Sequence, residues 1–251
     1  MDQRFEGRSV IITGAASGFG KAMAERFAAE GARLTLADLD ESAGAAVAAD
    51  TGGQFIRTDV SQSEDIQAMI ARAVDSYGSV DVLINNAGFS HRSMLMWELP
   101  DEDYDRVFAV NTKGVFLGCK HVIPVMRDRG GVIINTASIG AIAPRPGVTA
   151  YNATKGAVVT LTRGLAVEVA RFKIRVNALM PVAADTGFMK GALGVTEGLS
   201  EAQAQPIISG IPLRRLTDPS DVAGSAAFLA SDDAEFLTGV CLNIDGGRSI
   251  S

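Results

Sequence analysis

The residues best suited to chemistry in this sequence are Tyr151 and Lys155, which stand four positions apart. On a helix this spacing places both side chains on one face, one turn apart, so the ammonium can act on the phenol proton. A free tyrosine has a pKa of about 10, which burial raises and a nearby cation lowers. Lowering it to about 7 requires roughly 4 kcal/mol, a reasonable demand on one close cation and other bound charge. Ser138, at the end of an apolar run, supplies a hydroxyl that could hold a substrate oxygen.

Tyr-x-x-x-Lys also occurs by chance, where a half-buried tyrosine lies beside a surface lysine, so the surrounding elements decide its meaning. Residues 9–12 are a β-branched run typical of a buried strand, residues 13–20 a glycine-rich turn, and residues 22–29 repeat apolar residues at helical spacing. Such a turn presents backbone N–H groups and the positive end of a helix dipole to a phosphate. Three glycines could mark only a turn, but their place between strand and helix favours dinucleotide binding.

Asp38 follows the next predicted strand, residues 33–37. An acidic residue there can accept hydrogen bonds from both adenine-ribose hydroxyls and would repel a 2′-phosphate. Its neighbours Ala37 and Leu39 are uncharged, so no arginine beside it neutralises such a phosphate. The alternative is a solvated turn residue, in a run where Asp40 is the better candidate for a helix N-cap. The sequence therefore favours NAD over NADP as the cofactor.

Strand and helix patterns alternate along the rest of the chain. Further strands are predicted at residues 54–58, 80–84, 132–136, 174–179 and 240–244, and helices at residues 44–49, 61–76, 104–126, 151–170 and 219–231. This alternation is typical of an α/β fold, a doubly wound parallel sheet of about seven strands with helices on both faces and its ligand beyond the strands' carboxyl ends. We expect a single Rossmann-type domain over residues 1–251.

Composition narrows the classes of partner. The formal net charge is −6 and the basic residues are scattered along the chain, so nucleic acid is not expected to bind. There is no apolar segment of signal-peptide type and no apolar run of about eighteen residues, which predicts a cytoplasmic protein with no membrane partner. Cys119 and Cys241 lack any paired motif, so buried thiols are expected rather than a disulfide or a metal site.

Together these motifs resemble the short-chain dehydrogenase/reductase family, in the group with Thr-Gly-x-x-x-Gly-x-Gly, here residues 13–20, and Tyr-x-x-x-Lys, here residues 151–155. The resemblance covers essentially the whole chain. It implies an NAD-dependent oxidoreductase that interconverts a secondary alcohol and a ketone. Ser138 would orient the substrate oxygen, Tyr151 would transfer the proton, and Lys155 would lower the Tyr151 pKa and bind the nicotinamide ribose. Asn111 would have a structural role and would also hold the water that continues the proton path.

The resemblance also implies where the cofactor lies. Asp59 and Val60 would flank the adenine, while residues 86–88 would line the central region. The full predicted cofactor site comprises Gly14, Ser17, Gly18, Phe19, Gly20, Asp38, Leu39, Asp59, Val60, Asn86, Ala87, Gly88, Tyr151, Lys155, Pro181, Val182 and Thr186. Small residues on the helix after Tyr151 match the face that forms a four-helix subunit interface in this family, which implies a homotetramer, with a dimer as the alternative.

Two positions depart from the family pattern. Val182 stands where members usually have glycine after proline, and valine would be strained there if the backbone needs a positive φ. This departure questions how Val182 and Thr186 meet the carboxamide and pyrophosphate. Phe19 replaces the usual aliphatic residue, a milder change. Residues 182–213 are glycine-rich and are expected to form a substrate loop or lid.

The sequence leaves the substrate open. The expected pocket residues are mainly apolar: Phe89, Met94, Ile139, Ala141, Val148 and Met189. Arg145 could meet an anion or face water, and water is the favoured interpretation. His91 is expected to be a loop residue rather than a base, and Trp97 to serve packing. The alternative functions are an NADP-dependent 3-oxoacyl-type reductase and a protein that binds NAD without catalysis.

Overall fold

Seven parallel strands form one sheet in the order β3-β2-β1-β4-β5-β6-β7. The structure is a computed structural model that describes residues 3–184 and 200–251. Every neighbouring pair of strands is parallel. The strands are β1 (Ser9–Thr13), β2 (Arg33–Asp38), β3 (Gln54–Arg57), β4 (Val82–Asn85), β5 (Gly131–Thr136), β6 (Ile174–Pro181) and β7 (Cys241–Ile244).

Helices cover both faces of this sheet. They are α1 (Gly18–Ala29), α2 (Glu41–Thr51), α3 (Ser63–Tyr77), α4 (Asp101–Phe108), α5 (Gly114–Met126), α6 (Thr149–Val169), α7 (Glu201–Ser209) and α8 (Pro219–Ala230). Helices α3, α5 and α6 pack in one hydrophobic core, and α1, α2 and α8 in the other. The two cores are separated by the sheet because side chains alternate along each strand: Ile11 of β1 joins the first, Val10 and Ile12 the second.

The predicted α/β architecture is confirmed, with element ends shifted by a few residues. The predicted helix 104–126 consists of α4, a π-helical segment at Ala109–Lys113 and α5 in succession. The predicted loop 139–149 contains a 3-10 turn at Ile139–Ala141. Sequence periodicity missed α7, which opens with a capping box between Ser200 and Gln203 inside the stretch expected to be a glycine-rich lid.

Among the residues that the structure describes there is no disulfide, no metal cluster and no membrane-spanning helix. Cys119 is buried and Cys241 half-buried, and both are free. Within residues 3–184 and 200–251, no cluster of His, Cys, Asp or Glu could hold a metal ion. Across the same ranges, no helix has the length and apolar character needed to span a membrane.

Sheet topology determines where a ligand can bind. The chain runs from β1 outward to β3 and then returns to place β4 on the other side of β1. In a doubly wound sheet this reversal leaves a crevice beyond the carboxyl ends of the two central strands. The turn after β1 and the turn after β4 meet there, since a Cβ at Gly14 would lie 2.8 Å from Ala87 Cα.

Candidate active site

A cavity of about 620 Å³ lies beyond the carboxyl ends of the strands. Most of the predicted site residues line it: Gly14, Ser17, Gly18, Phe19, Asp38, Leu39, Asp59, Val60, Asn86, Ala87, Gly88, Ser138, Tyr151, Lys155, Pro181 and Val182. Residues from β1 to β6 therefore converge on one space although they are spread over most of the chain. The cavity is large enough for a ligand of cofactor size and is walled largely by small or apolar side chains.

The turn after β1 is closely packed, and its glycines are needed for that reason. Gly14 has a φ of +66° and lies against Ala87, so a side chain there would be both strained and too close to backbone. A Cβ at Gly20 would lie 1.9 Å from the Gly14 carbonyl oxygen. Gly20 does not line the cavity. Gly20 therefore has a packing role that lets the first turn of α1 lie against Gly14, and its predicted cofactor contact stays a prediction.

Thr13 and Asn86 join this turn to the strand-end loop after β4. The Thr13 hydroxyl accepts hydrogen bonds from the backbone N–H groups of Asn86 and Ala87, each at 3.0 Å. The Asn86 amide donates in return to the Thr13 and Gly14 carbonyl oxygens at 3.0 and 3.2 Å. Reciprocal bonds of this kind fix two glycine-containing loops that would otherwise be free to move apart. The cavity wall at the start of α1 is thereby held in place.

Asp38 is the last residue of β2 and lies at the rim of the cavity, where each of its carboxylate oxygens accepts a hydrogen bond from a backbone N–H. One oxygen accepts from the Ala16 backbone N–H at 2.9 Å, and the other accepts from the Asp40 N–H at 3.1 Å. Asp40 itself caps α2 by accepting from Ala43 N–H at 3.0 Å, as the sequence predicted. The Asp38 carboxylate is therefore fixed in position, and each oxygen retains lone pairs that can accept from a ligand hydroxyl.

Asp59 and Val60 follow β3 and continue the same rim. The Asp59 carboxylate accepts from the Ser61 backbone N–H at 2.9 Å and from the Ser61 hydroxyl at 2.7 Å. Val60 packs against Gly114, where a Cβ would lie 2.9 Å from one Val60 methyl carbon. The two residues thus present a short apolar surface beside a fixed carboxylate, which suits the flat face and polar edge of a base.

Asn111 lies behind the cavity wall rather than in it. It sits in the π-helical segment and is fully buried. Its amide oxygen accepts from Phe89 N–H at 2.8 Å, and its amide nitrogen donates to Phe89 O at 2.8 Å and to Thr154 Oγ1 at 3.1 Å. The side chain therefore anchors the loop after β4 to α6. The structure places Asn111 as a positioning residue, and the predicted water relay stays a prediction.

Ser138, Tyr151 and Lys155 meet at the inner end of the cavity. Ser138 forms a hydrogen bond with Tyr151, and its hydroxyl accepts from Gly140 N–H at 3.1 Å. The Lys155 ammonium donates to the Thr136 carbonyl at 2.7 Å and lies 5.6 Å from the centre of the Tyr151 ring. The helical spacing of tyrosine and lysine thus produces the expected pairing on one face of α6.

Burial dominates the ionisation of both groups. It raises the pKa of Tyr151 to about 12, against smaller lowering effects from the hydrogen bond with Ser138 and the positive charge of Arg145. It also lowers the pKa of Lys155 to about 8. The sequence predicts a tyrosine made acidic by its lysine together with bound cofactor charge, and this stays a prediction. Among the protein's own groups, removing the phenol from water outweighs the hydrogen bond with Ser138 and the positive charge of Arg145.

Val182 is not strained. Among residues 3–184 and 200–251, a positive φ at a residue other than glycine occurs only at Lys173 and Arg214. Val182 directly follows β6 and continues its pairing with β7. Its N–H donates to Ile244 O at 3.1 Å, and its side chain packs against the core. Both Val182 and Pro181 line the cavity. Thr186 lies outside the described residues.

Comparison with known proteins agrees with this geometry. A family model described as enoyl-(acyl carrier protein) reductase matches residues 14–249. The chain is 40% identical to 4-formylbenzenesulfonate dehydrogenase of Comamonas testosteroni over 246 residues, 96% of this chain and 97% of that protein. It is 38% identical to a 3-oxoacyl-(acyl-carrier-protein) reductase of Thermotoga maritima over 253 residues, 98% and 100% of the two chains.

The chain belongs to the short-chain dehydrogenase/reductase family. Among solved structures, it matches the 3-ketoacyl-(acyl-carrier-protein) reductase from Brucella melitensis complexed with NADH, with a TM-score of 0.92 and 40% identity, over 98% of this chain and 99% of that one. As a member of this family it is an oxidoreductase that acts on CH–OH groups with a nicotinamide cofactor.

In this short-chain dehydrogenase/reductase, the apolar pocket prediction holds in part. Phe89 and Ile139 line the cavity, whereas Met94, Ala141 and Val148 do not. Met189 lies outside the described residues. The sequence could not exclude Met94, Ala141 and Val148, because it does not say which way a loop side chain turns.

Two aromatic or polar residues of the loop after β4 behave differently from one another. His91 is buried, with Nδ1 2.8 Å from the Arg92 carbonyl oxygen, and it does not line the cavity. This agrees with its interpretation as a loop residue. Trp97 is 80% exposed, and its neighbours Leu95 and Met96 are exposed as well. The prediction that Trp97 packs within the chain is therefore wrong.

Sequence reasoning missed several arginines and one helix of this cavity. Arg106 and Arg248 line it, as do Pro206 and Ile207 of α7. Arg145 lines it too and is exposed, so it also faces solvent, as the sequence favoured. Arg106 stacks over the Phe89 ring with its guanidinium carbon 4.1 Å from the ring centre. No motif could have marked these residues, because only the sheet order brings them together.

Proposed function

We propose that this enzyme interconverts a secondary alcohol and a ketone with NAD, and that Tyr151 is its general acid/base. The observation that carries the proposal is the contact between Ser138 and Tyr151 at the inner end of a cavity whose rim is the glycine-rich turn and Asp38. A hydroxyl pair at one end and a dinucleotide-shaped rim at the other suit transfer between a carbon-bound oxygen and a nicotinamide.

The residues present fit a dinucleotide. Gly14 and Gly18, both with a positive φ, line the cavity, and α1 begins at Gly18, so backbone N–H groups at the start of a helix are available to a pyrophosphate. Asp38 would hold the adenine ribose, and Asp59 with Val60 would flank the adenine. When bound, NAD accepts the hydride released from the substrate carbon, or NADH supplies it in the reverse direction.

The protein's own residues manage the proton. The Ser138 hydroxyl holds the substrate oxygen. The Tyr151 phenolate takes the substrate's proton during alcohol oxidation, and the Tyr151 phenol donates a proton during ketone reduction. Lys155 with a pKa of about 8 is charged at neutral pH, so it stabilises the phenolate once that forms. Because the phenolate is the active form in oxidation, we expect alcohol oxidation to speed up and ketone reduction to slow down as the pH rises.

The preference for NAD rests on Asp38. Its fixed carboxylate would bond the ribose hydroxyls of NAD and repel the 2′-phosphate of NADP. The relative from Brucella melitensis is described with NADH, which agrees with this choice. The names of the two acyl-carrier-protein reductases support the alternative of a 3-oxoacyl-type reductase. Dissociation constants for NADH and NADPH, measured for the parent and for Asp38→Ser, decide the cofactor: the parent should prefer NADH and the variant should lose that preference.

The Tyr151→Phe variant tests the chemistry. It should bind NADH with nearly the parent dissociation constant, measured by NADH fluorescence, and lose about 100- to 10,000-fold in kcat/KM on a panel of secondary alcohols. Tyr104→Phe is the matched control, because Tyr104 is 45% exposed and does not line the cavity. A Tyr151→Phe enzyme that reduced NAD near the parent rate would refute the assignment.

Three further features of the enzyme stay proposals. Residues 182–213 are proposed as the substrate loop, supported by Pro206 and Ile207 at the cavity wall. A homotetramer is supported by α6, where Ala153 and Thr160 are exposed and nothing occupies the space beside Gly156. Light scattering of the purified protein measures the assembly. A cytoplasmic location is the third.

A further inference from the structure

The charges around the cavity follow the strand order. Within the described chain, the carboxylates that line it are Asp38 and Asp59, which follow β2 and β3 at one edge of the sheet. The arginines lie toward the other edge: Arg106 in α4, Arg145 in the loop after β5, and Arg248 after β7. The end that holds Ser138 and Tyr151 therefore carries positive charge from three separate elements.

Arg145 is held beside the reacting phenol. Its carbonyl oxygen accepts from the Asn152 amide at 2.9 Å, and Asn152 directly follows Tyr151 on α6. The same loop is fixed again where Met94 N–H donates to Gly147 O at 3.0 Å. Its guanidinium is close enough to lower the pKa of Tyr151. The loop thus presents an exposed cation on the cavity wall whose charge reaches Tyr151.

The other two arginines are placed differently. Arg106 lies over the face of Phe89, where the ring already interacts with its charge. Arg248 lies under the end of α7, since a Cβ at Gly210 would be 3.3 Å from Arg248 Nε. None of the ion pairs between described residues involves Arg106 or Arg248. Arg248 lines the same cavity as Arg145, which makes it the candidate for a second contact on a ligand.

We propose that the substrate carries a carboxylate or sulfonate, bound by the guanidinium of Arg145 with Arg248 as a second contact. Its apolar body would lie against Phe89 and Ile139, and its alcohol carbon would face Tyr151. Guanidinium groups recognise such anions through paired, charge-assisted hydrogen bonds, and they discriminate strongly against neutral analogues. This inference rests on the proposed alcohol–ketone chemistry and adds the substrate class to it.

The test compares an anionic ketone with a neutral one of similar shape. Isothermal titration calorimetry measures the binding of 4-acetylbenzoate and of 4-methylacetophenone to the full enzyme saturated with NAD, which cannot reduce a ketone. We expect the parent to bind 4-acetylbenzoate at least about 10-fold more tightly, and Arg145→Gln to reduce that ratio by about 10- to 100-fold. Arg145→Lys should retain part of the preference, since it keeps the charge but loses the paired geometry. Arg129→Gln, an exposed change outside the cavity, is the control.

The outcomes separate this inference from the proposed function. Equal affinity for the two ketones, no measurable binding of 4-acetylbenzoate, or an unchanged ratio in Arg145→Gln would overturn the anion site. Turnover of the corresponding alcohols is assayed separately. If an anionic alcohol binds through Arg145 but is not oxidised, the proposed chemistry fails while the anion site stands. If 1-phenylethanol is oxidised in a Tyr151-dependent way with no preference for the anion, the reverse holds.

Discussion

Replacing Lys155 with methionine tests whether the protein holds a desolvated lysine at its active site. The side chain is 3% exposed, and its ammonium donates to the Thr136 carbonyl. Burial lowers its pKa from 10.5 to about 8. Desolvation disfavours the charged form, so the folded protein pays a penalty for Lys155 at every pH where this side chain is protonated. Methionine has a similar length and carries no charge, so Lys155→Met removes that penalty.

The sign and size of the effect follow from the two pKa values. Between pH 8 and 10.5 the unfolded chain holds the Lys155 proton while the folded protein has released it. The unfolded state then binds more protons, so the free energy of unfolding rises with pH across this window. Going from pH 7 to pH 10 should stabilise the parent, relative to Lys155→Met, by about 2.5 kcal/mol. Below pH 8 the full penalty is present, and the difference between the two proteins should level off.

Urea unfolding at pH 7, 8, 9 and 10 measures this difference. Taking the parent minus the variant largely removes the contributions of Tyr151 and Cys119, each with a pKa raised to about 12 by burial. Lys120→Met, at an exposed position of α5, should show no comparable pH-dependent difference. A parent-minus-Lys155→Met difference that stays constant to within about 0.5 kcal/mol across the range would refute the desolvation argument.

Three further changes test the packing. Gly14→Ala should destabilise the protein at least twice as much as Gly52→Ala. Both glycines have a positive φ, which costs an alanine about 1–2 kcal/mol. Only at Gly14 would the new Cβ also collide with backbone, that of Ala87. Equal losses in urea unfolding would contradict the close approach. Trp97→Ser should change the free energy of unfolding by no more than about 0.5 kcal/mol, whereas a loss above about 2 kcal/mol would show that Trp97 packs. Val182→Gly should destabilise by about 1 kcal/mol, and a gain in stability would instead reveal strain at Val182.

The local motifs were predictable because each is contained in a short stretch of chain. The glycine-rich turn, Asp38 and the pair Tyr151 and Lys155 each depend on spacing within one turn, strand end or helix face, and spacing is visible in sequence. The strand and helix alternation then places these motifs at one edge of a parallel sheet. The doubly wound order of the sheet then brings these motifs into one cavity.

Other features could not be predicted because they depend on long-range contacts. A structural role for Asn111 was expected beside its relay role, but the sequence did not show that its amide joins Phe89 to α6. Gly20 belongs to the turn motif, yet it makes space for Gly14 and does not line the cavity. In both cases the sequence identified an important residue, and only the packing of neighbouring elements showed what it contacts.

By itself, the sequence determined the fold class, the dinucleotide turn and the tyrosine–lysine pair, because helix and strand periodicity encode which local side chains share a face. The tertiary structure decided the electrostatics of the site. It showed that burial outweighs the hydrogen bond with Ser138 and the charge of Arg145 in determining the pKa of Tyr151, and that Arg145 and Arg248, more than a hundred residues apart in the chain, line the same cavity. Desolvation and the convergence of distant charges depend on what surrounds a group in space, and local spacing does not encode that.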